Sequence, residues 1–243
     1  MRKIEVCCIS ANDVLEARKG GAIRVELCTA ISSGGVTPSI GLVRSAVKAA
    51  DGGLLVNVLI RPREGGFCYD ESEIRTMLED IRACRSAGAD GVVIGALTPD
   101  GDIDMEACRR MMDAASGMNV TFHRAFDVCR EPEKALEQII ELGCDHLLTS
   151  GQRPSALEGS ALIADLVRQA AGRITIMPGS GVNPGNIAEI ESLTSASEFH
   201  STARDLVPDS SLRHVPELGF DEVSKVPGMV LRTSSEVVRS LVD

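Results

Sequence analysis

The sequence predicts an α/β protein of the (β/α)8 TIM-type barrel class, and three observations predict it. Eight short β-rich runs alternate with helical segments over roughly the first 200 residues, a pattern that gives right-handed βαβ units and a parallel sheet. At 243 residues the chain has the size of one such barrel. The third observation is residues 119–127, NVTFHRAFD, where Val120 and Phe122 alternate with Asn119, Thr121 and His123. A helix-covered parallel strand is normally aliphatic on both faces, so this polar face looks into something other than hydrocarbon, and a barrel lumen supplies it. An open doubly wound sheet would want G-x-G-x-x-G after the first strand, and IEVCCISAND has no glycine there.

Each element has its own signal. Residues 4–9 (IEVCCI) form the first strand, followed by a helix that Asn12 can cap and Gly20 and Gly21 can end. IRVELC (23–28) is the second strand. After the turn SSGGVTPS, Ser39 opens a helix through Ala50, LLVNVLIR (54–61) is the third strand, and RPREGGFCY is a long glycine-rich loop. The next helix, ending at Gly88, carries Ile74, Met77, Leu78, Ile81 and Cys84 on one stripe. GVVIGAL is the fourth strand, DMEACRRMMDAA the fourth helix and VTFHRAFD the fifth strand with its loop. Pro132 suits the first turn of the fifth helix and Gly143 its end. HLLTSG is the sixth strand, residues 156–171 a helix, RITIMPGSGV the seventh strand with a glycine loop, NPGNIAEIESL a short helix and ASEFHS the eighth strand. Residues 1–205 make up the barrel. The tail, 206–243, has weak periodicity and reads as an extended loop, with a last helix from about Ser234 to Leu241 that packs on or closes the barrel.

Composition excludes several functions. Acidic side chains outnumber basic ones by 35 to 25, for a formal charge of -10, which argues against nucleic-acid binding. There is no signal-peptide core and no apolar stretch long enough for a bilayer, so a cytoplasmic location is expected and no membrane partner. Eight cysteines include no C-x-x-C pair, which removes the zinc-ribbon and thioredoxin-like readings. Cys84, Cys108 and Cys144 read as small buried hydrophobes, and Met105, Met111, Met112 and Met118 as core filler. A homodimer or higher homo-oligomer is the base expectation. With 2% aromatic residues and no Trp, its interface would rest on aliphatic and arginine contacts.

Strand alternation assigns the lumen. It places Glu5 and Cys7 inward from the first strand, Arg24, Glu26 and Cys28 from the second, and Asn57 and Arg61 from the third. Thr121 and His123 follow from the fifth, Thr175 from the seventh, and Glu198 and His200 from the eighth. Buried charges need partners, so Arg24 and Arg61 are expected to pair with Glu5, Glu26 or Glu198. Cys28, Arg61, His123, Ser150, Ser180 and His200 fall near strand C-terminal ends, where barrel enzymes build their sites. Gly179, Ser180 and Gly181 could present backbone N–H groups to an anion, with TSGQ (149–152) adding donors. Cys7, Cys8 and Cys28 lie near the same end of adjacent strands, and soft thiolates with imidazole favour Cu(I) or zinc.

With these residues placed, the sequence resembles the CutC family, named for copper homeostasis. The likeness spans about the first 205 residues through EVCCIS, AIRVELC, GGVTPSIG, VLIRPREGGFCY, VTFHRAFD, LLTSGQ and GSGV. The resemblance implies a TIM-type barrel, a cytoplasmic protein and a role in copper handling with Cu(I) bound through cysteine. It makes Cys28 the candidate ligand, with Cys7 and Cys8 as helpers, and Glu26, Arg61, His123, Arg124, Asp127 and His200 the candidate pocket. Two readings stay open. One is a copper homeostasis protein whose partner is the copper ion. The other is an enzyme of lyase or isomerase type on a small anionic or phosphorylated metabolite, with Glu26, His123, Asp127 and His200 catalytic. In that reading Arg24, Arg61, Arg124, Ser150, Gly179, Ser180 and Gly181 hold the anion.

Overall fold

Alternating hydrophobicity becomes a parallel barrel in a computed structural model of the chain, which describes residues 1–215, 217 and 225–243. Eight strands alternate with helices: β1 (Lys3–Cys8), α1 (Ala11–Gly20), β2 (Arg24–Leu27), α2 (Ile40–Ala50), β3 (Leu55–Leu59) and α3 (Glu71–Ser86) come first. β4 (Gly91–Ile94), α4 (Met105–Ala114), β5 (Asn119–Phe122), α5 (Pro132–Leu142), β6 (His146–Thr149), α6 (Ser160–Ala170), β7 (Thr175–Pro178), α7 (Ile187–Thr194) and β8 (Glu198–Ser201) follow. The hydrogen-bonded order is β7-β6-β5-β4-β3-β2-β1-β8. β7 and β8 lie side by side at the remaining seam, which Ser201 Oγ bridges by donating to Val182 O at 2.7 Å. The apolar core sits outside the sheet, under the helices, where Ile4, Val6, Val25, Leu27, Val56 and Val58 are all fully buried. The α3 stripe of Ile74, Met77, Leu78, Ile81 and Cys84 is buried as its spacing predicts.

Three helix starts differ from the sequence reading, each because a side chain or loop found a better partner. Ser10, not Asn12, caps α1: its hydroxyl accepts from the Asp13 N–H at 3.1 Å and donates to the Asp13 carboxylate at 2.8 Å. α6 begins at Ser160 rather than 156, because Ala156 N–H is drawn across to Ser180 O at 3.0 Å. Gly159 also lies so close to the β6 loop that a Cβ there would stand 1.9 Å from Ser150 O. α7 begins at Ile187, since Asn183 and Asn186 form a side-chain turn (Asn183 N–H to Asn186 Oδ1, 2.9 Å) that competes with helix.

The tail is more ordered than an extended loop. β9 (Arg204–Pro208) and β10 (Met229–Thr233) pair antiparallel, and α8 (Ser235–Val242) packs on α1 and β1. Residues 216 and 218–224 of the segment read as loop lie outside the described residues. Two bonds tie the tail down: Arg2 N–H donates to Val242 O at 2.8 Å, and Thr233 N–H to Asp13 Oδ1 at 3.2 Å. Gly20 permits the helix contact, for a Cβ there would fall 2.4 Å from that of Val238.

Candidate functional site

The lumen is polar because the inward residues of β1, β2 and β8 are charged. Sheet register sets Glu5 beside Arg24 and His200, and Cys7 beside Glu26. At the lower level Arg24 donates to Glu5 through Nε and to Glu198 through Nη2 at 2.9 Å. His146 Nε2 stands 3.3 Å from the same Glu198 carboxylate. Burial alone would raise the Glu5 and Glu198 carboxyls, but His200 and Arg24 at Glu5, and His146 and Arg24 at Glu198, hold both at about 2.

One level higher, the network meets sulfur. His200 Nδ1 lies 2.8 Å from Glu5 Oε1 and its Nε2 3.5 Å from Glu26 Oε2. Burial opposes a charge on this ring, yet hydrogen bonds with Cys7 and Glu5 and the charges of Glu26 and Glu5 push its pKa well up. Glu26 has no such donor. Burial, offset by His200 and reinforced by Glu5, raises it to about 7, so this carboxyl can exchange a proton near neutrality. Cys7 Sγ sits 3.6 Å from Cys28 Sγ, and that contact with burial drives the Cys7 thiol well above its ordinary range. Cys7 Sγ, a Glu26 oxygen and a His200 nitrogen lie within 4.8 Å of one another.

The top level carries Arg61, His123 and Arg124. Arg61 follows β3 and is 6% exposed. It does not pair with a carboxylate as expected. Instead Nη1 donates to Ser33 O and Gly35 O at 2.9 and 2.8 Å, and Nη2 to Gly65 O at 2.6 Å, so the guanidinium joins two loops while lying over Phe67. His123 Nδ1 accepts the Ala125 N–H at 3.1 Å. Burial and the Arg61 charge hold this imidazole down to about 3, so it is neutral with its proton on Nε2. Its slot exists because residue 95 is glycine; a Cβ there would stand 2.6 Å from the ring.

Asp127 works as a hub for the wall. It accepts from Thr149 Oγ1 (2.6 Å), the Ser150 N–H (3.0 Å), Ser150 Oγ (2.9 Å) and Arg124 Nε (2.7 Å). With its oxygens so occupied, it positions Arg124 and the β6 loop more readily than it moves a proton. The glycine loop after β7 packs tightly: the Gly179 N–H is spent on Thr149 O at 2.9 Å, and a Cβ at Gly179 would meet Leu148 at 2.5 Å.

A cavity of about 480 Å³ opens among these groups. Cys7, Glu26, Arg61, His123, Arg124 and His200 line it, with Asp127, Ser180 and Gly181 at the wall. The other candidates lie elsewhere. Arg24 is below the cavity in the ion network, so its expected contact with an anion gives way to Glu5 and Glu198. Ser150 and Gly179 support the walls. Cys28 stands behind Cys7, packed with Leu59 and Val93. Cys8 faces the outer core, near Thr233; consecutive strand residues point to opposite faces, so it is turned away from Cys7. His146 and Phe67 were not among the candidates. Alternation on HLLTSG carries the signal for His146, while Phe67 arrives on a loop that no periodicity describes.

Comparison with known proteins gives a consistent result. The CutC family model matches residues 2–205. The CutC family protein of Parabacteroides distasonis is 54% identical over 206 residues, 85% of this chain and 84% of the relative. That of Chromobacterium violaceum is 45% identical over 244 residues, covering 98% and 96%. Among solved structures, a candidate copper homeostasis protein CutC from Streptococcus agalactiae superposes with a TM-score of 0.80 at 35% identity, over 83% of this chain and 99% of that one. A thiamine phosphate pyrophosphorylase from Pyrococcus furiosus shares the fold alone, with a TM-score of 0.59 at 14% identity over 98% and 93% of the two chains.

Proposed function

The chain belongs to the CutC family, and we propose that it serves copper homeostasis by holding Cu(I) as cargo between Cys7 and Cys28. The observation that carries this reading is the 3.6 Å separation of their sulfurs, with a His200 nitrogen within 4.8 Å of the Cys7 sulfur as a third donor. Two thiolates and an imidazole form a soft donor set that suits a monovalent d10 ion. Glu26, a hard oxygen donor, stands beside this set and contributes charge more than a bond. Cys8 takes no part, since it lies on the outer face of β1. All eight cysteines are free thiols, the state in which a reducing cytoplasm keeps them, and a cytoplasmic location accords with the role. No helix among the described residues is long and apolar enough to cross a membrane.

Proton competition shapes the affinity. The Cys7 thiol is protonated at neutral pH, and His200 shares its nitrogens with Glu5 and Glu26. The metal therefore displaces protons, and binding tightens as pH rises. X-ray absorption at the copper edge of the anaerobically loaded protein is expected to show a first shell of two sulfurs and at most one nitrogen. A shell made only of nitrogen and oxygen would remove this reading.

A further inference from the structure

We propose that the cavity above the thiol pair is a binding site for a small organic anion, a carboxylate or a phosphate monoester. Arg61 and Arg124 supply the charge and the neutral His123 a directed hydrogen bond. Size is the first argument. A metal ion needs one coordination sphere, whereas about 480 Å³ falls in the range of small-molecule pockets, roughly 300–1,000 Å³.

The second argument is that two buried groups lack partners of the same kind. Arg61, 6% exposed, pairs with no carboxylate among the described residues: it donates to backbone carbonyls and lies over Phe67, and its Nε is buried without a hydrogen-bond partner. A buried cation is costly unless an anion compensates it. His123, 4% exposed, has committed Nδ1 as acceptor to Ala125, which leaves a donor on Nε2, and that atom too is buried without a partner. An unpaired cation beside an unpaired donor both call for an acceptor bearing negative charge. Each such deficit leaves the group's desolvation uncompensated while unmet.

The surroundings fit the same ligand. Arg124, whose side chain is 44% exposed, reaches the rim with its Nε fixed by Asp127 at 2.7 Å and its Nη2 by Ser150 at 3.1 Å. Ser180 and Gly181, both with left-handed backbone at φ 74° and 76°, also line the cavity. Among the described residues their N–H groups meet no protein acceptor. Leu59, Phe67 and Leu148 offer apolar surface for a short carbon skeleton. The acidic group on the floor, Glu26, is engaged with His200, so the charged end of the ligand belongs at the Arg61–His123 wall.

The test is a titration of the metal-free, full-length protein with inorganic phosphate and, separately, with succinate, at ionic strength matched by chloride. It is followed by calorimetry and by the NMR signal of the His123 Nε2 proton. Saturable binding of either anion is expected, with movement of that signal; which anion binds distinguishes a phosphate site from a carboxylate site. Arg61→Gln is expected to weaken binding at least tenfold, and Arg124→Gln by a smaller factor. Cys28→Ser, which removes a sulfur behind the cavity, is expected to leave anion binding unchanged, so the proposal stands or falls apart from the copper reading. The site is refuted if neither anion binds above chloride, or if a folded Arg61→Gln binds like the wild type. Should Arg61→Gln not fold, an His123 signal that ignores both anions refutes it equally.

Discussion

Replacing Arg24 by methionine is expected to cost the folded barrel about 3–5 kcal/mol, the penalty for leaving a buried charge uncompensated. Arg24 is 3% exposed and bonds two carboxylates from different strands, Glu5 of β1 and Glu198 of β8. Methionine fills much of the same volume, and its thioether can lie near Met177, which Arg24 already touches at 3.4 Å, so cavity formation is a small part of the loss. The two buried carboxylates then keep His200 at Glu5, and His146 with the outer Lys3 at Glu198. Urea unfolding measures the effect as a lowered midpoint at unchanged slope. The double variant Arg24→Met with Glu5→Gln should recover part of the loss, because it removes one of the stranded charges. A single variant within about 1 kcal/mol of wild type, in the range of exposed pairs, would mean that the network contributes little.

Acid is expected to unfold the barrel through the same carboxylates. Glu5 and Glu198 have folded pKa values of about 2 against an ordinary 4.5. A depressed carboxyl contributes stability above its unfolded value and loses it as pH falls toward its folded value, so the loss runs from about 4.5 down to about 2. Each shift corresponds to about 3 kcal/mol at neutral pH; the two do not add, since both groups share Arg24. Glu26 has the opposite sign. Raised to about 7, it favours the fold while protonated, and that contribution is lost as pH rises from 4.5 through 7. His123, held down to about 3 from an ordinary 6.5, gains stability with rising pH over an overlapping range, so the Glu26 contribution is read as the difference between the wild type and Glu26→Gln. Glu26→Gln should remove the Glu26 loss and leave the acid side alone. Urea midpoints that stay level down to about pH 3 would contradict the assignment.

Much of this site was legible in strand alternation, because facing is a local property of the chain. Glu5, Arg24, Glu26, Asn57, Thr121, His123, Glu198 and His200 all turn inward as the period of two dictates. Partnership is not local. That Arg24 would bridge β1 and β8 while Arg61 bonded loop carbonyls depends on register and crossover geometry, which no single segment encodes. Cys8 shows the converse: neighbours in sequence suggested a shared ligand set, yet adjacent strand positions face opposite ways. Asp127 looked like a proton-transfer group in HRAFD, and only the folded chain reveals that donors from Arg124, Thr149, Ser150 and Gln152 occupy it. The β9–β10 hairpin escaped because its strands are about 20 residues apart in sequence, with β9 mostly exposed and β10 mostly half-buried, so neither carries a strong apolar period.

The most direct test of the copper reading is an anaerobic titration of the reduced protein with Cu(I) against a competing chelator, run beside Cys7→Ser, Cys28→Ser and Cys8→Ser. The wild type should hold one ion. Loss of either inward thiol should weaken it by at least about a hundredfold, beyond the range of changes outside the ligand shell, while Cys8→Ser should bind as the wild type does. Equal binding by the wild type and the two inward variants, or a loss confined to Cys8→Ser, would contradict a site built on Cys7 and Cys28.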